Sequence, residues 1–385
     1  MDAPASHQIQ SSTLPPAQPS YILRGHTAQI HCVHFLRKNL RLLTGDADGW
    51  VVLWNLATKR PVAVWKPHAG SVLGVGSWGD EDENVITHGR DNKLLVWQLR
   101  EQDEVTFSKT LPIDDATSER KQPWLLHSLD VNALNFCSFA MSHIPPPTTN
   151  DPPPTPDKIL LAVPGLQDGM INLTALPSNT RYATIPPPKS TNTGMLMALS
   201  LHQPPSSAHP LIAAGYESGH VALWRHNPTT SLQTWQTTYL SQPHSQPVLS
   251  IAIAPHTACF FSSSADAVVA RHPLPESSTE PKSVQTRHAG QQALAVRSDG
   301  RVFATAGWDG RVRVYAARGM GELAVLKWHR EGCYAAAFAE VLDEEGGEDR
   351  EKALTVAQQR VARVRATHWL AAGSKDGKVS LWDVY

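Results

Sequence analysis

Three phrases in this 385-residue chain have residue types and spacings that carry chemistry elsewhere. Gly74-Val75-Gly76-Ser77-Trp78-Gly79 fits the G-x-G-x-x-G spacing that brings backbone amides close to a pyrophosphate. Such a site needs the phrase between a strand and a helix N-terminus. Here it runs into Asp80-Glu81-Asp82-Glu83, whose carboxylates repel phosphate. His31-Cys32-Val33-His34 offers imidazole and thiolate, the ligands of zinc. On a strand, His31 and His34 face opposite sides and cannot share one ion without a bulge. Asn172-Leu173-Thr174 has the glycosylation spacing, but it lies in an apolar run that reads as an inner strand. The G-x-S-x-G, P-loop and H-E-x-x-H phrases are absent. The sequence therefore reads as non-enzymatic, with no catalytic, cofactor-binding or metal-ligating set.

The His and Asp residues recur instead at a repeat spacing. Tight turns after small-residue strands fall at Asp48-Gly49, Asp91-Asn92, Asp168-Gly169, Ser218-Gly219, Asp266-Ala267, Asp309-Gly310 and Asp376-Gly377. Their spacing centres on the period of WD-repeat propellers, about 40 to 45 residues. Two intervals are longer, and each holds an insertion: Ile144 to Asp157, rich in proline, and Glu340 to Lys352, rich in acid. Seven repeat units result. His26, His68, His127, His244, His288 and His329 stand upstream of six of the turns, with Gly194 in the fourth unit. Six residues past each turn stand Trp54, Trp97, Thr174, Trp224, His272, Tyr315 and Trp382. Apolar runs such as VVLWNL and VSLWDV have the β-branched bias of buried strands.

The spacing has a structural use. A buried His can donate to the turn Asp, while a Ser or Thr four residues before that Asp joins it to an indole N–H. Each such bond contributes about 1 kcal/mol. The expected sets are His26, Thr44, Asp48, Trp54; His68, Thr87, Asp91, Trp97; and His288, Thr305, Asp309, Tyr315. A seventh set, His329, Asp376 and Trp382, is interrupted by Ala372. Units three to five read as less pinned.

The last unit supplies its third strand and reaches Tyr385. Tyr21-Ile22-Leu23-Arg24, upstream of His26, is expected to pair beside Val379 to Asp383 and complete that blade, removing an open edge. The expected fold is thus an all-β, seven-bladed propeller over residues 19–385, closed by an N-terminal strand in the last blade. Residues 1–18 read as a disordered tail, with a Pro-rich insertion at 141–158 and an acidic one at 340–358. Charge is balanced, 34 Lys and Arg against 35 Asp and Glu, which removes the broad drive toward nucleic acid or anionic membrane. Four scattered cysteines fit a reduced intracellular protein. The first residues lack the apolar core of a secretory signal, and no apolar run reaches membrane-spanning length.

The segments YILRGHTAQIHCVHF, RLLTGDADGWVVLWNL, ITHGRDNKLLVWQL, ATAGWDGRVRVY and AAGSKDGKVSLWDVY resemble the fungal ASTRA-associated protein 1 family, a relative of the guanine-nucleotide-binding-protein β-subunit-like proteins. The likeness is strongest in the first two and last two units. It implies a scaffold subunit of the ASTRA assembly in the nucleus, with the cytoplasm as a second location. The implied partners are other ASTRA subunits and the chaperone adaptors of PI3-kinase-related kinases, with a role in chromatin regulation and in maturation of those kinases.

Any binding function must lie in what the repeats do not share. The residues before the turns, Ala47, Arg90, Gln167, Glu217, Ala265, Trp308 and Lys375, are expected on one rim. Arg90, Trp308 and Lys375 are the expected partner-binding residues, because an exposed Trp beside cations suits a binding hot spot. A reader of modified peptides such as histone tails stays open as an alternative, with an aromatic cage as its signature. A true heterotrimeric β subunit would need a heptad-bearing N-terminal helix, which the Pro-broken N-terminus lacks.

Overall fold

The computed structural model describes residues 17–384, except 133–135, 145–157, 204–209, 228–233, 255, 257, 276 and 343–354. Its strands form seven four-stranded antiparallel sheets. Blade one spans residues 30–65, two 72–130, three 140–185, four 196–241, five 248–285 and six 291–327. Blade seven takes 333–383 together with Tyr21–Arg24. Within blades one to six the strands pair in chain order, and the first strand is the innermost.

Closure is by the N-terminal strand. Tyr21–Arg24 pairs antiparallel with Lys378–Asp383, in the register Tyr21 with Leu381, Leu23 with Val379 and Arg24 with Lys378. Leu23 is buried in a cluster that joins blades seven and one, among Ile30, Trp54, Ala371 and Leu381. The ring also needs small residues where one blade's second strand meets the next blade's first. A side chain at Gly45 would strike Val72, one at Gly215 would strike Val248, and one at Gly373 would strike Ile30.

The glycines of the Gly74–Gly79 phrase serve this packing. Gly74 and Gly76 lie in the innermost strand of blade two, Val72–Trp78. An added Cβ would lie 1.9 Å from Ser138 Oγ at Gly74 and 3.2 Å from Phe139 and Met141 at Gly76. The acidic loop beyond them caps blade one: Asp82 accepts from the Arg37 amide at 2.6 Å and from Ser77 Oγ at 2.9 Å.

Several boundaries differ from the sequence expectation. His127 is not at the start of blade three. It lies in Trp124–Asp130, the outer strand of blade two, paired with Val96. A long insertion after Gln98 had displaced that strand along the chain. The insertion straps the outside of blade one: Ser108 C=O accepts from Val64 N at 2.9 Å, and Ile113 N donates to Gly25 C=O at 3.0 Å. The innermost strand of blade three is Ala140–His143, so residues 141–143 belong to the blade and not to the Pro-rich insertion. Residues 145–157 of that insertion, and 343–354 of the acidic one, lie outside the described residues, as does most of the expected tail. The acidic insertion gives way to a helix, Val356–Ala366, capped by Thr355 accepting from Gln358 N at 3.3 Å. It carries Arg360, Arg363 and Arg365 on its exposed side.

The polar sets vary by blade. In blade two His68 bonds Asp91 at 3.0 Å and Thr87 at 2.9 Å, and Trp97 Nε1 donates to Thr87 Oγ1 at 2.9 Å. In blade one the carboxylate is Asp46, not Asp48. His26 Nδ1 lies 2.7 Å from Asp46 Oδ2 and Nε2 lies 2.7 Å from Thr44 Oγ1, while Trp54 Nε1 donates to Thr44 at 2.9 Å. Asp46 ends its strand beneath His26, and its other oxygen takes the amides of Asp48 and Trp50, so it closes the turn as well. Asp48 is exposed. Asp46→Ala is therefore expected to cost about 3 kcal/mol and Asp48→Ala less than about 0.5, read as urea midpoints. Equal costs would show the assignment to be wrong.

Blade six departs further. Asp309 is held by Arg313 at 2.6 Å, His288 is half exposed and 3.6 Å from Asp309, and Thr305 donates to the buried Gln291 at 2.7 Å. Gln291 thus takes the inner place expected for His288, and Tyr315 contributes a ring stacked on Phe303 at 4.9 Å. In blade seven Ala372 does not break the set. Ser380, paired opposite Ala372, supplies the hydroxyl: His329 Nε2 lies 2.9 Å from Ser380 Oγ, Trp382 Nε1 donates to it at 2.8 Å, and His329 Nδ1 reaches Asp376 at 3.3 Å.

Blade five is also pinned, against expectation. His244 bonds Asp266 at 3.3 Å and Ser262 at 2.8 Å; Ser262 bonds His272 at 2.9 Å, and His272 reaches Tyr239 Oη at 3.1 Å. One proton arrangement satisfies the whole chain. His244 Nδ1–H donates to Asp266, Ser262 to His244 Nε2, His272 Nε2–H to Ser262, and Tyr239 to His272 Nδ1. Both rings are then neutral, in keeping with burial, which pushes His244 down and His272 down to about 3.

Candidate protein-interaction face

The end of the ring that carries the second-to-third-strand turns is built by one recurring contact. Ala47, Arg90, Glu217, Ala265, Trp308 and Lys375 each donate their backbone N–H to the residue just before the blade's innermost strand: Gln29, Ser71, Met195, Pro247, Gly290 and Gly332, at 2.8 to 3.1 Å. The side chains of these turn residues are thereby fixed on one rim. Directly after each accepting residue the pairing slips by one, a β-bulge that frees His31, Leu73, Met197, Leu249, Gln292 and Tyr334 from the ladder. A bulge re-aims its side chain, so these six form a second, inner circle. Among the described residues Gln167 of blade three has no such bond, and the innermost strand there, Ala140–His143, pairs only with Ile159–Ala162.

Trp308 is the large aromatic of the rim and is 45% exposed. Its indole lies against Gly290, where an added Cβ would be 2.0 Å from the ring and φ is +75°. Nε1–H donates to Gln292 Oε1 at 2.8 Å. One edge and one face are therefore used internally, and the remainder is held rigid toward solvent. Arg90 and Lys375 are exposed. The Arg90 guanidinium lies 4.3 Å over the Phe136 ring, and the Lys375 ammonium lies 5.5 Å from the Tyr334 ring. Tyr334 in turn meets His31 at 6.0 Å. Burial lowers the His31 pKa, opposed by Asp46 and reinforced by Arg90. Around the ring, Arg90 and Lys375 belong to the blades on either side of blade one, and Trp308 lies one blade beyond Lys375.

The residues singled out for metal chemistry do not converge. His31 points to this face, while His34 bonds Ser77 at 3.0 Å. No group of three or more potential metal ligands occurs among the described residues. Phe136, 54% exposed, and Gln292 were missed from the sequence. Gln292 carried a signal, since it sits at the bulge position shared with His31 and Tyr334. Phe136 carried none, because it belongs to the irregular lead-in to blade three.

The WD domain, G-beta repeat model matches residues 17–55, 280–316 and 360–383. The chain is 46% identical to ASTRA-associated protein 1 of Aspergillus flavus, over 96% of this chain and 98% of that protein. It is 48% identical to ASTRA-associated protein 1 of Verticillium alfalfae, over 100% and 97%. The protein of that name in Schizosaccharomyces pombe is 30% identical over 95% and 99%. Likeness of this extent covers every blade, the degenerate third and fourth included. The chain belongs to the ASTRA-associated protein 1 family.

Proposed function

We propose that this chain is a non-enzymatic scaffold subunit of an ASTRA assembly, acting in the nucleus and binding protein partners through the rim of Arg90, Trp308 and Lys375. Full-length likeness to relatives bearing the ASTRA name is the observation that carries the reading. The rim supports it physically. A rigid, half-exposed Trp that shares its rim with two exposed cations, both to one side of it, suits a hot spot that meets an acidic partner surface. In this role the propeller is an adaptor in chromatin regulation and in the maturation of PI3-kinase-related kinases with their chaperone adaptors.

The face does not favour a methyl-lysine reader. Such a site needs several aromatic faces around one empty space. The Phe136 and Tyr334 rings each already carry a cation of this chain, Arg90 and Lys375.

The test is recovery of the tagged chain from cells of its source, with mass spectrometry of what accompanies it. ASTRA subunits are expected; their absence overturns the reading. Trp308→Ala is expected to weaken that recovery about tenfold or more while the melting temperature moves by less than about 2 °C. A large fall in melting temperature would show the indole to be a packing residue.

A further inference from the structure

We propose that the outer edge of blade two binds an extended segment of a partner protein as a fifth strand, with an apolar side chain on Trp124 and a carboxylate beside Arg100 and Lys121. The proposal rests on the scaffold reading and names a second surface, on the side of the ring.

The outer strand of a blade presents unpaired N–H and C=O groups, and proteins guard such edges with charge or a covering segment. Blade one has a covering segment, since Ser108 bonds Val64 in its outer strand. Other outer strands carry exposed polar or charged residues: Arg181 in blade three, Lys282 in blade five and Glu322 in blade six. Trp124–Asp130 has no such covering bond among the described residues, and its exposed polar residues, Ser128 and Asp130, lie only in its second half. It opens Trp-Leu-Leu, with Trp124 74% exposed, Leu125 45% and Leu126 36%. Leu126 is the extra residue where pairing with Val96 and Trp97 slips, so this end of the edge is apolar on both sides. No described residue bonds its outer edge, and an apolar run of this kind marks an interaction site.

The chemistry of the occupant follows from what borders Trp124. An open cavity of about 350 Å³ adjoins it, lined by Gln98, Arg100, Asp103, Phe107 and Lys121 among others. Neither Arg100 nor Lys121 forms a salt bridge among the described residues. Asp103 already accepts from the Arg100 amide at 3.3 Å. With two cations against the one carboxylate of Asp103, the lining is net positive, and a carboxylate of the incoming strand is its complement. Only an extended segment satisfies the bare ladder as well.

The experiment selects random short peptides on the full chain, counter-selecting on the Trp124→Glu variant. Trp124 is too exposed to support the fold, so that variant is expected to melt like the parent. Enriched peptides are expected to alternate apolar residues, to carry Asp or Glu, to slow amide exchange in residues 124–130, and to bind the variant about tenfold more weakly. Three results overturn the proposal: no peptide that distinguishes the two chains, protection confined elsewhere, or a dimer of the free chain in sedimentation that Trp124→Glu abolishes, which would make a second copy the occupant. The selection uses no ASTRA subunit, so its failure is separate from failure of the tagged chain to recover that assembly.

Discussion

Deletion of residues 1–24 is expected to lower the melting temperature by about 10 °C or more. The deletion removes the fourth strand of blade seven and leaves Lys378–Asp383 as a bare edge. Burial of Leu23, 2% exposed, contributes about 2 to 3 kcal/mol. The backbone bonds of a four-residue pairing add about 1 kcal/mol each. Trp54 and Leu381 also lose a neighbour in the cluster joining blades seven and one. The loss is thus about 5 kcal/mol, and in a domain of this size each kcal/mol moves the midpoint by about 2 °C. Thermal unfolding followed by circular dichroism reads it. A truncated chain that melts with the parent would mean that the ring is not closed here.

Acid is expected to destabilise the fold steeply between pH 6.5 and 4. His88 is fully buried, neither ring nitrogen has a partner among the described residues, and burial pushes its pKa down to about 4. Burial, with the nearby His244, holds His272 at about 3. Unfolded, both rings titrate near 6.5. Below that pH the unfolded chain binds protons that the folded chain refuses, so stability falls as pH falls. Above pH 7 the rings are neutral in both states and add no pH dependence. Each ring contributes a slope of about 1.4 kcal/mol per pH unit, so the pair costs about 4 kcal/mol at pH 5. Burial lowers His34, His68 and His244 in the same direction. Urea midpoints across this range provide the measurement. His88→Leu is expected to flatten the slope by one ring's share without loss at pH 7, since it removes an unpartnered buried group. An unchanged slope would contradict this account of the ring.

His88 also explains an irregularity of the ring. It stands where Gly45, Gly215 and Gly373 stand in blades one, four and seven. Those glycines yield to a β-branched residue at the start of the next blade's innermost strand. Blade three has no such residue, since Ala140–His143 begins late. The imidazole fills the space near Phe139, at 6.3 Å between rings.

The seven turns, the blade count and the closing strand were legible because each rests on local chemistry. A tight turn needs its Gly or Asp, and an incomplete last blade needs a strand from elsewhere. What escaped were substitutions made across strands. Ser380 stands in for a residue at Ala372, and the two are partners only once the strands pair. Asp46 replaces Asp48 because it ends a strand beneath His26, a relation in space that spacing does not encode. Blade five was readable: Ser262 stands four residues before Asp266 with His244 upstream, but His272 in place of Trp hid the pattern. The helix at Val356–Ala366 also carried a signal, Thr355 and Gln358 at capping spacing, masked by the acidic run before it. His127 was misplaced because an insertion inside blade two moved its outer strand to where the next blade was expected. The rim residues were found in sequence because one shared backbone bond places six of them.

The repeated residues build the ring, and the proposed role gives partner binding to the unshared rim. Amide exchange of the chain alone, compared with the chain in assembly with its recovered partners, tests it most directly. Slower exchange in the bound state is expected at the turns holding Arg90, Trp308 and Lys375. Exchange at all three turns that is the same in the free and bound chain would contradict it.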